Sequence, residues 1–230
     1  MLSLPSHWRV IEASTAEDWL RARAGYLTAS DVSAVMGLNP WKSRASVLRK
    51  KQGVADGPPR FESAMMAGQF QEEGVFRWFL HDRAAEAVAL GEEAPVGCIV
   101  RNPLGVSVLV EHPKSELMLA ASPDGLMVRG DGERQLVEVK VLGPEGSYPR
   151  WSDPCRSIPW RELGKRRNVD CPVQHWVQLQ TQLLCTGEGF GWVVGCCGTK
   201  RMDHPFAADL DFQRRIEDAA VEFWGEVQRG

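Results

Sequence analysis

Residues 136–141, Leu-Val-Glu-Val-Lys-Val, constrain the fold more than any other part of the chain. Valines recur at alternate positions and only Glu138 and Lys140 interrupt them. This is the pattern of a strand, whose successive side chains point to opposite faces. Glu138 and Lys140 therefore share one face, and Val137, Val139 and Val141 share the other. Upstream, Ser122-Pro123-Asp124-Gly125 reads as a turn, and Gly130-Asp131-Gly132 reads as a hairpin loop. If the segments on either side of that loop pair, Asp124 comes near Glu138. An Asp, a Glu and a Lys then converge on one sheet face. Two carboxylates suit a hard cation such as Mg²⁺. A neighbouring ammonium can orient or deprotonate a metal-bound water, or stabilise a developing oxyanion. The same residues also make an ordinary type I turn and the solvated face of an edge strand. This stretch alone does not separate the two readings.

At 230 residues the chain is expected to form one domain, with residues 143–168 as a loop-rich excursion. Hydrophobic residues make up 43% and charged residues 25%, as in an ordinary globular protein. The formal charge of −3 makes no global case for nucleic acid, so any such case must be local. Local basic clusters exist at Arg44-Arg49-Lys50-Lys51 and at Arg161-Lys165-Arg166-Arg167. No apolar run reaches membrane-spanning length and no signal-peptide pattern opens the chain, so a cytoplasmic location is expected. The six cysteines contain no C-x-x-C pair and no spacing suited to zinc or an iron–sulfur cluster. Reduced, mostly buried thiols are the expectation.

Several other stretches organise the rest. Ser14-Thr15-Ala16-Glu17 resembles a capping box with Ser14 as N-cap, opening a helix with Trp19 and Leu20 on its buried side. Arg23 lies near its end, and Thr28 or Ser30 caps a second short helix that Gly37 ends. A capped helix N-terminus beside a hydroxyl and an Arg suits a phosphate, and equally suits simple helix packing. A further helix runs to about Arg83, with Glu72, Phe76 and Phe79 on one face. Residues 171–186 form a helix that starts near Pro172. It carries Gln174, Gln178 and Gln182 at i, i+4 spacing and Gln180 across from them. Strands are expected near Cys98–Val100, Val106–Val110 and Phe190–Cys197, and an amphipathic helix over Asp209–Gln228. In 143–168, aromatics interleaved with Arg suit stacking on single-stranded bases or a small Trp cluster.

Taken in order, these stretches resemble the YqaJ-type viral recombinase family, which includes the phage lambda exonuclease. The matches are Arg23-Ala24-Gly25-Tyr26-Leu27-Thr28-Ala29-Ser30-Asp31, Gly68 to Glu72, Ser122-Pro123-Asp124 with Glu138-Val139-Lys140, and Gln178-Leu179-Gln180. The resemblance implies an α/β (α+β) fold with a restriction-endonuclease-like core, a central mixed β-sheet flanked by helices. It implies a Mg²⁺-dependent deoxyribonuclease, with Mn²⁺ as a substitute and two ions per site. Asp124, Glu138, the Val139 carbonyl and Glu72 would be ligands, Lys140 would activate water, and Gln178 would support it. Arg23 and Ser30 would grip a 5′-phosphate. The implied activity is 5′-to-3′ digestion of double-stranded DNA ends, leaving 3′ single strands for a single-strand annealing recombinase. A trimer is implied by resemblance alone. An endonuclease of the same fold and a non-catalytic DNA-end-binding module are the alternatives.

Overall fold

The computed structural model describes residues 3–54, 62–102, 105–142 and 171–229. The 143–168 excursion, its interleaved aromatics and arginines, and the second basic cluster lie outside the described residues.

The strand expected at 136–141 is β7 (Arg134–Val141), paired antiparallel with β6 (Gly125–Val128). Gly125 stands opposite Val137, which puts Asp124 next to Glu138 as the hairpin requires. β7 also pairs in parallel with β8 (Phe190–Cys197). Antiparallel β3 (Val96–Ile99) and β9 (Lys200–Ala207) complete a mixed five-stranded sheet in the order β3-β6-β7-β8-β9. Part of the core lies outside this sheet. β1 (Arg9–Ile11), β2 (Leu27–Thr28), β4 (Leu109–Glu111) and β5 (Leu119–Ala121) form a second sheet ordered β1-β4-β5-β2. Ser122, Pro123 and Asp124 link the end of β5 to the start of β6, so the turn is where the chain passes from one sheet to the other. Ser122 Oγ donates to the Val108 carbonyl at 2.7 Å, and the Asp124 carbonyl accepts from Val100 N–H at 3.0 Å.

The alternation of β7 sorts the core. Val137 and Val139 pack with Val75, Phe76 and Phe79 of a long helix, Glu62–Ala89. That helix extends well beyond the expected end near Arg83, because Ala84, Ala85, Ala87 and Ala89 all favour helix. On the opposite face, Leu126, Leu136 and Val193 pack with Leu179 and Leu183 of the helix Val173–Thr186. Gly187 ends that helix in the left-handed region, at φ 73°. The last helix, Leu210–Arg229, buries Phe212, Ile216, Ala220 and Phe223. In chain order the helices are α1 (Ala16–Ala24), α2 (Ala29–Val35), α3 (Arg44–Lys51), α4 (Glu62–Ala89), α5 (Val173–Thr186) and α6 (Leu210–Arg229). No helix among the described residues is long and apolar enough to cross a membrane.

Three local expectations are corrected. The N-cap of α1 is Thr15 rather than Ser14, its hydroxyl accepting from Asp18 N–H at 3.0 Å. The helix buries none of its residues, and Leu20 is 60% exposed. Of the described cysteines only Cys185 and Cys196 are buried; Cys98, Cys171 and Cys197 are half-buried, and no disulfide joins any of them.

Gly125 is where the turn meets α4. A Cβ there would lie 2.4 Å from Cε2 and 2.6 Å from Cδ2 of Phe76, one turn beyond Glu72. Gly125→Ala is therefore expected to cost about 1–3 kcal/mol, because a buried ring has to leave its well-packed position. Urea unfolding reads this as a lower midpoint. An unchanged midpoint would mean that Phe76 moves aside freely.

Candidate active site

Seven of the eight residues singled out in the sequence line one cavity of about 490 Å³: Arg23, Ser30, Glu72, Asp124, Glu138, Lys140 and Gln178. Val139, the eighth, contributes its backbone. Its N–H donates to Asp124 Oδ2 at 2.8 Å and so locks the Asp124 side chain to the strand that carries Glu138.

Glu138 sits at the floor of the cavity with its residue fully buried. A charge buried that deeply requires partners. Lys140 Nζ forms an ion pair with Glu138 Oε1. Gln178 Nε2 donates to the same oxygen at 2.6 Å, and Gln182 Nε2 donates to Oε2. Gln182 also reaches the Ser122 carbonyl at 3.3 Å, tying α5 to the turn before Asp124. Gln182 was not among the expected site residues, although its i, i+4 spacing from Gln178 placed it on the same face. Gln180 faces away and braces the start of α6, accepting from Asp209 N–H at 2.8 Å.

The carboxylates of the cavity oppose one another. Burial first, and then the charges of Glu138 and Glu72, push Asp124 well above the usual carboxylate range against the pull of Lys140. Burial likewise raises Glu72, outweighing the nearby charges of Lys140 and Arg101. Burial disfavours the Lys140 ammonium, but the charges of Glu138 and Asp124 more than offset it and its pKa rises above the ordinary lysine value. At this end of the cavity the three carboxylates outnumber the cations Lys140 and Arg101. Oxygen donors with surplus negative charge fit a divalent cation. No three His, Cys, Asp or Glu side chains among the described residues already converge as a ligand set. In this arrangement Glu138 is occupied by Lys140 and the two glutamines.

The other end of the cavity is built by the α1–α2 segment. Arg23 Nη2 donates to Ser30 Oγ at 2.9 Å, and Ser30 Oγ lies 3.2 Å from Thr28 Oγ1. Thr28 Oγ1 donates to Asp31 Oδ2 at 3.0 Å, and Lys42 Nζ pairs with Asp31 Oδ1 at 2.5 Å. Burial works against the Asp31 carboxylate, but Lys42 outweighs it and holds the group below its usual range. Arg23 also lies over the Trp19 ring, 4.9 Å from its centroid, so Trp19 lines the site rather than the core.

The first basic cluster divides by role. Arg44 pairs with Glu226 at 2.9 Å and donates to the Val35 carbonyl, which ties α3 to α6. Lys51 turns inward and donates to the carbonyls of Arg23 at 3.3 Å, Ala24 at 3.1 Å and Tyr26 at 2.5 Å. Only Arg49 and Lys50 remain exposed. Lys51→Met strips three acceptors at the end of α1 and is expected to cost about 1–3 kcal/mol. Lys51→Arg should recover only part, because a planar fork does not fit three diverging carbonyls. A midpoint of Lys51→Met equal to the parent's would show that water serves these carbonyls equally well.

Residues 18–189 match the family model of the YqaJ-like viral recombinase domain. Two similar solved structures are of LHK-Exo, an alkaline exonuclease from Laribacter hongkongensis. The complex with dAMP aligns over 93% of this chain and 93% of that one, at 22% identity and a TM-score of 0.58. The other LHK-Exo structure aligns over the same shares at 23% identity and a TM-score of 0.58. At this identity the likeness establishes a shared fold, that of an alkaline exonuclease with a restriction-endonuclease-like core. No curated protein sequence matches.

Proposed function

This chain belongs to the YqaJ-like viral recombinase domain family, and on that premise we propose that it is a metal-dependent exonuclease. It digests double-stranded DNA ends 5′ to 3′ and leaves 3′ single strands for a single-strand annealing recombinase. The observation that carries this reading is the two-ended cavity: Asp124, Glu138 and Lys140 at one end, the Arg23–Ser30 pair at the other. A hydrolytic centre alone would serve any phosphodiester. A guanidinium and a hydroxyl in the same cavity suit a substrate that carries a terminal phosphate as well.

Asp124, Glu138, Glu72 and the Val139 carbonyl would hold Mg²⁺, or Mn²⁺ in its place, as two ions per site. Bound there, the metal would supply a lowered water pKa and stabilisation of the attacking and leaving oxygens. The rest falls to side chains of this chain. Lys140, held by Glu138, presents a fixed positive charge beside the place where the attacking water must sit. Gln178 and Gln182 keep the Glu138 carboxylate in one orientation. Arg23 and Ser30 set the register of the strand by holding its 5′-phosphate, so that the bond to be cut falls over the carboxylates. A homo-oligomer, a trimer by resemblance, and a cytoplasmic location belong to the same proposal.

The test is digestion of linear duplex DNA labelled at one end, carrying a 5′-phosphate or a 5′-hydroxyl, with closed circular duplex alongside. Mg²⁺-dependent loss of one strand, faster from phosphorylated ends and with circles left intact, is the expected result. Arg23→Ala should remove the preference for phosphorylated ends while leaving the Mg²⁺ requirement. Cutting of circles would replace the exonuclease with an endonuclease of the same fold. DNA binding without cleavage in Mg²⁺ or Mn²⁺ would leave a DNA-end-binding module.

A further inference from the structure

The cavity contains a second arginine that the proposed mechanism above does not use. Arg101 lines it from the connection between β3 and β4. Its backbone is placed with some force. The preceding residue, Val100, donates its N–H to the Asp124 carbonyl at 3.0 Å, so the position of Arg101 is tied directly to that of Asp124. Arg101 also bridges Ser107 across the connection. Asn102 fixes the turn beyond it: its side chain donates to the Ala13 carbonyl at 2.7 Å and accepts from Val106 N–H at 2.9 Å. The Arg101 side chain, by contrast, is exposed. Its hydrogen bond to the Gly105 carbonyl is long, at 3.4 Å.

The two arginines serve different ends of the cavity. Arg23 bonds Ser30, and its charge acts on Asp31. The charge of Arg101 acts on Glu72, on the carboxylate side. Lys140, the other cation there, is held by Glu138. A guanidinium without so close a partner, beside the carboxylates and open to the cavity, is suited to a phosphate in two-point contact.

We propose that Arg101 is a catalytic residue that binds the non-bridging oxygens of the scissile phosphodiester, while Arg23 and Ser30 hold the terminal phosphate. The assignment rests on the exonuclease reading. In the step it serves, a water oxygen forms a bond to phosphorus and the P–O3′ bond breaks. One proton of the water passes to the leaving O3′ and the other to solvent. The released nucleotide keeps its 5′-phosphate, and the shortened strand gains a new one. Negative charge grows on the non-bridging oxygens and on O3′ as this happens, and a fixed guanidinium stabilises that charge more than it stabilises the bound substrate.

The experiment compares Arg101→Ala, Arg101→Lys and Arg23→Ala with the parent on 5′-phosphorylated and 5′-hydroxyl duplex ends. Single-turnover rates are measured at saturating enzyme, and thermal melting with and without Mg²⁺ is recorded for each variant. Arg101→Ala should lose about 10²–10³-fold in the single-turnover rate on both kinds of end. Its ratio between the two ends and its Mg²⁺-induced melting shift should stay at the parent's values. Arg101→Lys should recover part of the rate, since it keeps the charge without the fork. Arg23→Ala should show the reverse pattern, losing the ratio more than the rate. If Arg101→Ala cuts within about threefold of the parent, or loses the ratio as Arg23→Ala does, the assignment is overturned while the exonuclease reading stands. A parent protein that cleaves no DNA overturns both.

Discussion

Asp124→Asn is expected to abolish Mg²⁺-dependent DNA digestion and, without divalent cations, to make the protein more stable. Both effects come from one carboxylate. Burial first, and then Glu138 and Glu72, hold the folded-state pKa of Asp124 well above its ordinary value. A carboxyl with a raised folded pKa favours the folded state fully only at pH below its unfolded value. That contribution is lost as pH rises through the folded pKa. Above its unfolded pKa, Asp124 therefore opposes folding unless a cation joins it. Asparagine keeps the shape and still accepts the Val139 N–H, while removing the charge. The metal-free variant should melt above the parent at pH 7 to 8, and the gap should close as pH falls toward 4. On the proposed metal site, Mg²⁺ should raise the melting temperature of the parent and leave that of the variant nearly unchanged. Groups that merely support metal ligands are worth about 10–100-fold. Asp124 is proposed as a ligand itself and should exceed that, so the digestion rate should fall by more than about a hundredfold. Retention of a tenth of the activity, or melting below the parent in EDTA, would refute this account of Asp124.

How far the sequence foretold this site depended on the range of each signal. β7 was legible because alternation is local: six residues sufficed to place Glu138 and Lys140 on one face. Its hairpin with β6 followed from Gly130 and Gly132. Phe76 and Phe79 were legible on α4 from helical spacing, and both are buried there. The second sheet was harder. β4 (Leu109–Glu111) falls at the end of the strand expected at Val106–Val110, but β1, β2 and β5 are two or three residues long, too short for periodicity to show, and are held by pairing with other segments. β9 alternates too, burying Met202, His204 and Phe206, but its polar residues and Pro205 disguise an edge strand. Trp19 was assigned to the core on hydropathy, whereas it supports Arg23 at the cavity wall. Arg101 gave no signal, and Lys51 showed only as one member of a basic cluster. Their partners are backbone carbonyls and the cavity itself, and neither leaves a pattern in side-chain types. Gln182 was within reach: a glutamine stripe facing a buried glutamate is a hydrogen-bonding device, and the stripe was visible before its partner was.

Lys140→Met should both stop catalysis and weaken the fold, and the pH dependence of the weakening separates two roles for the lysine. Glu138 is fully buried, and its partners here are Lys140, Gln178 and Gln182. Removing the ammonium leaves a buried carboxylate with two amide donors, a loss of about 3 kcal/mol. Burial lowers the Lys140 pKa, but Glu138 and Asp124 more than offset this and raise it above 10.5. A lysine with a raised folded pKa gives its full stabilisation below the unfolded value and loses it only as pH climbs through the folded one. In EDTA, the stability difference between parent and variant should therefore be constant from about pH 7 to 10 and shrink above that range. Within that range the metal-free ammonium stays charged, which suits the proposed role of fixing water and stabilising negative charge. Losing such a group costs about 10²–10³-fold in rate. Lys140→Arg preserves the charge and should restore most of the stability. It should restore little of the activity, because a planar fork cannot occupy the place of a compact ammonium. A stability difference that already falls between pH 7 and 9 would instead make Lys140 a titrating base, and the electrostatic role would have to be abandoned.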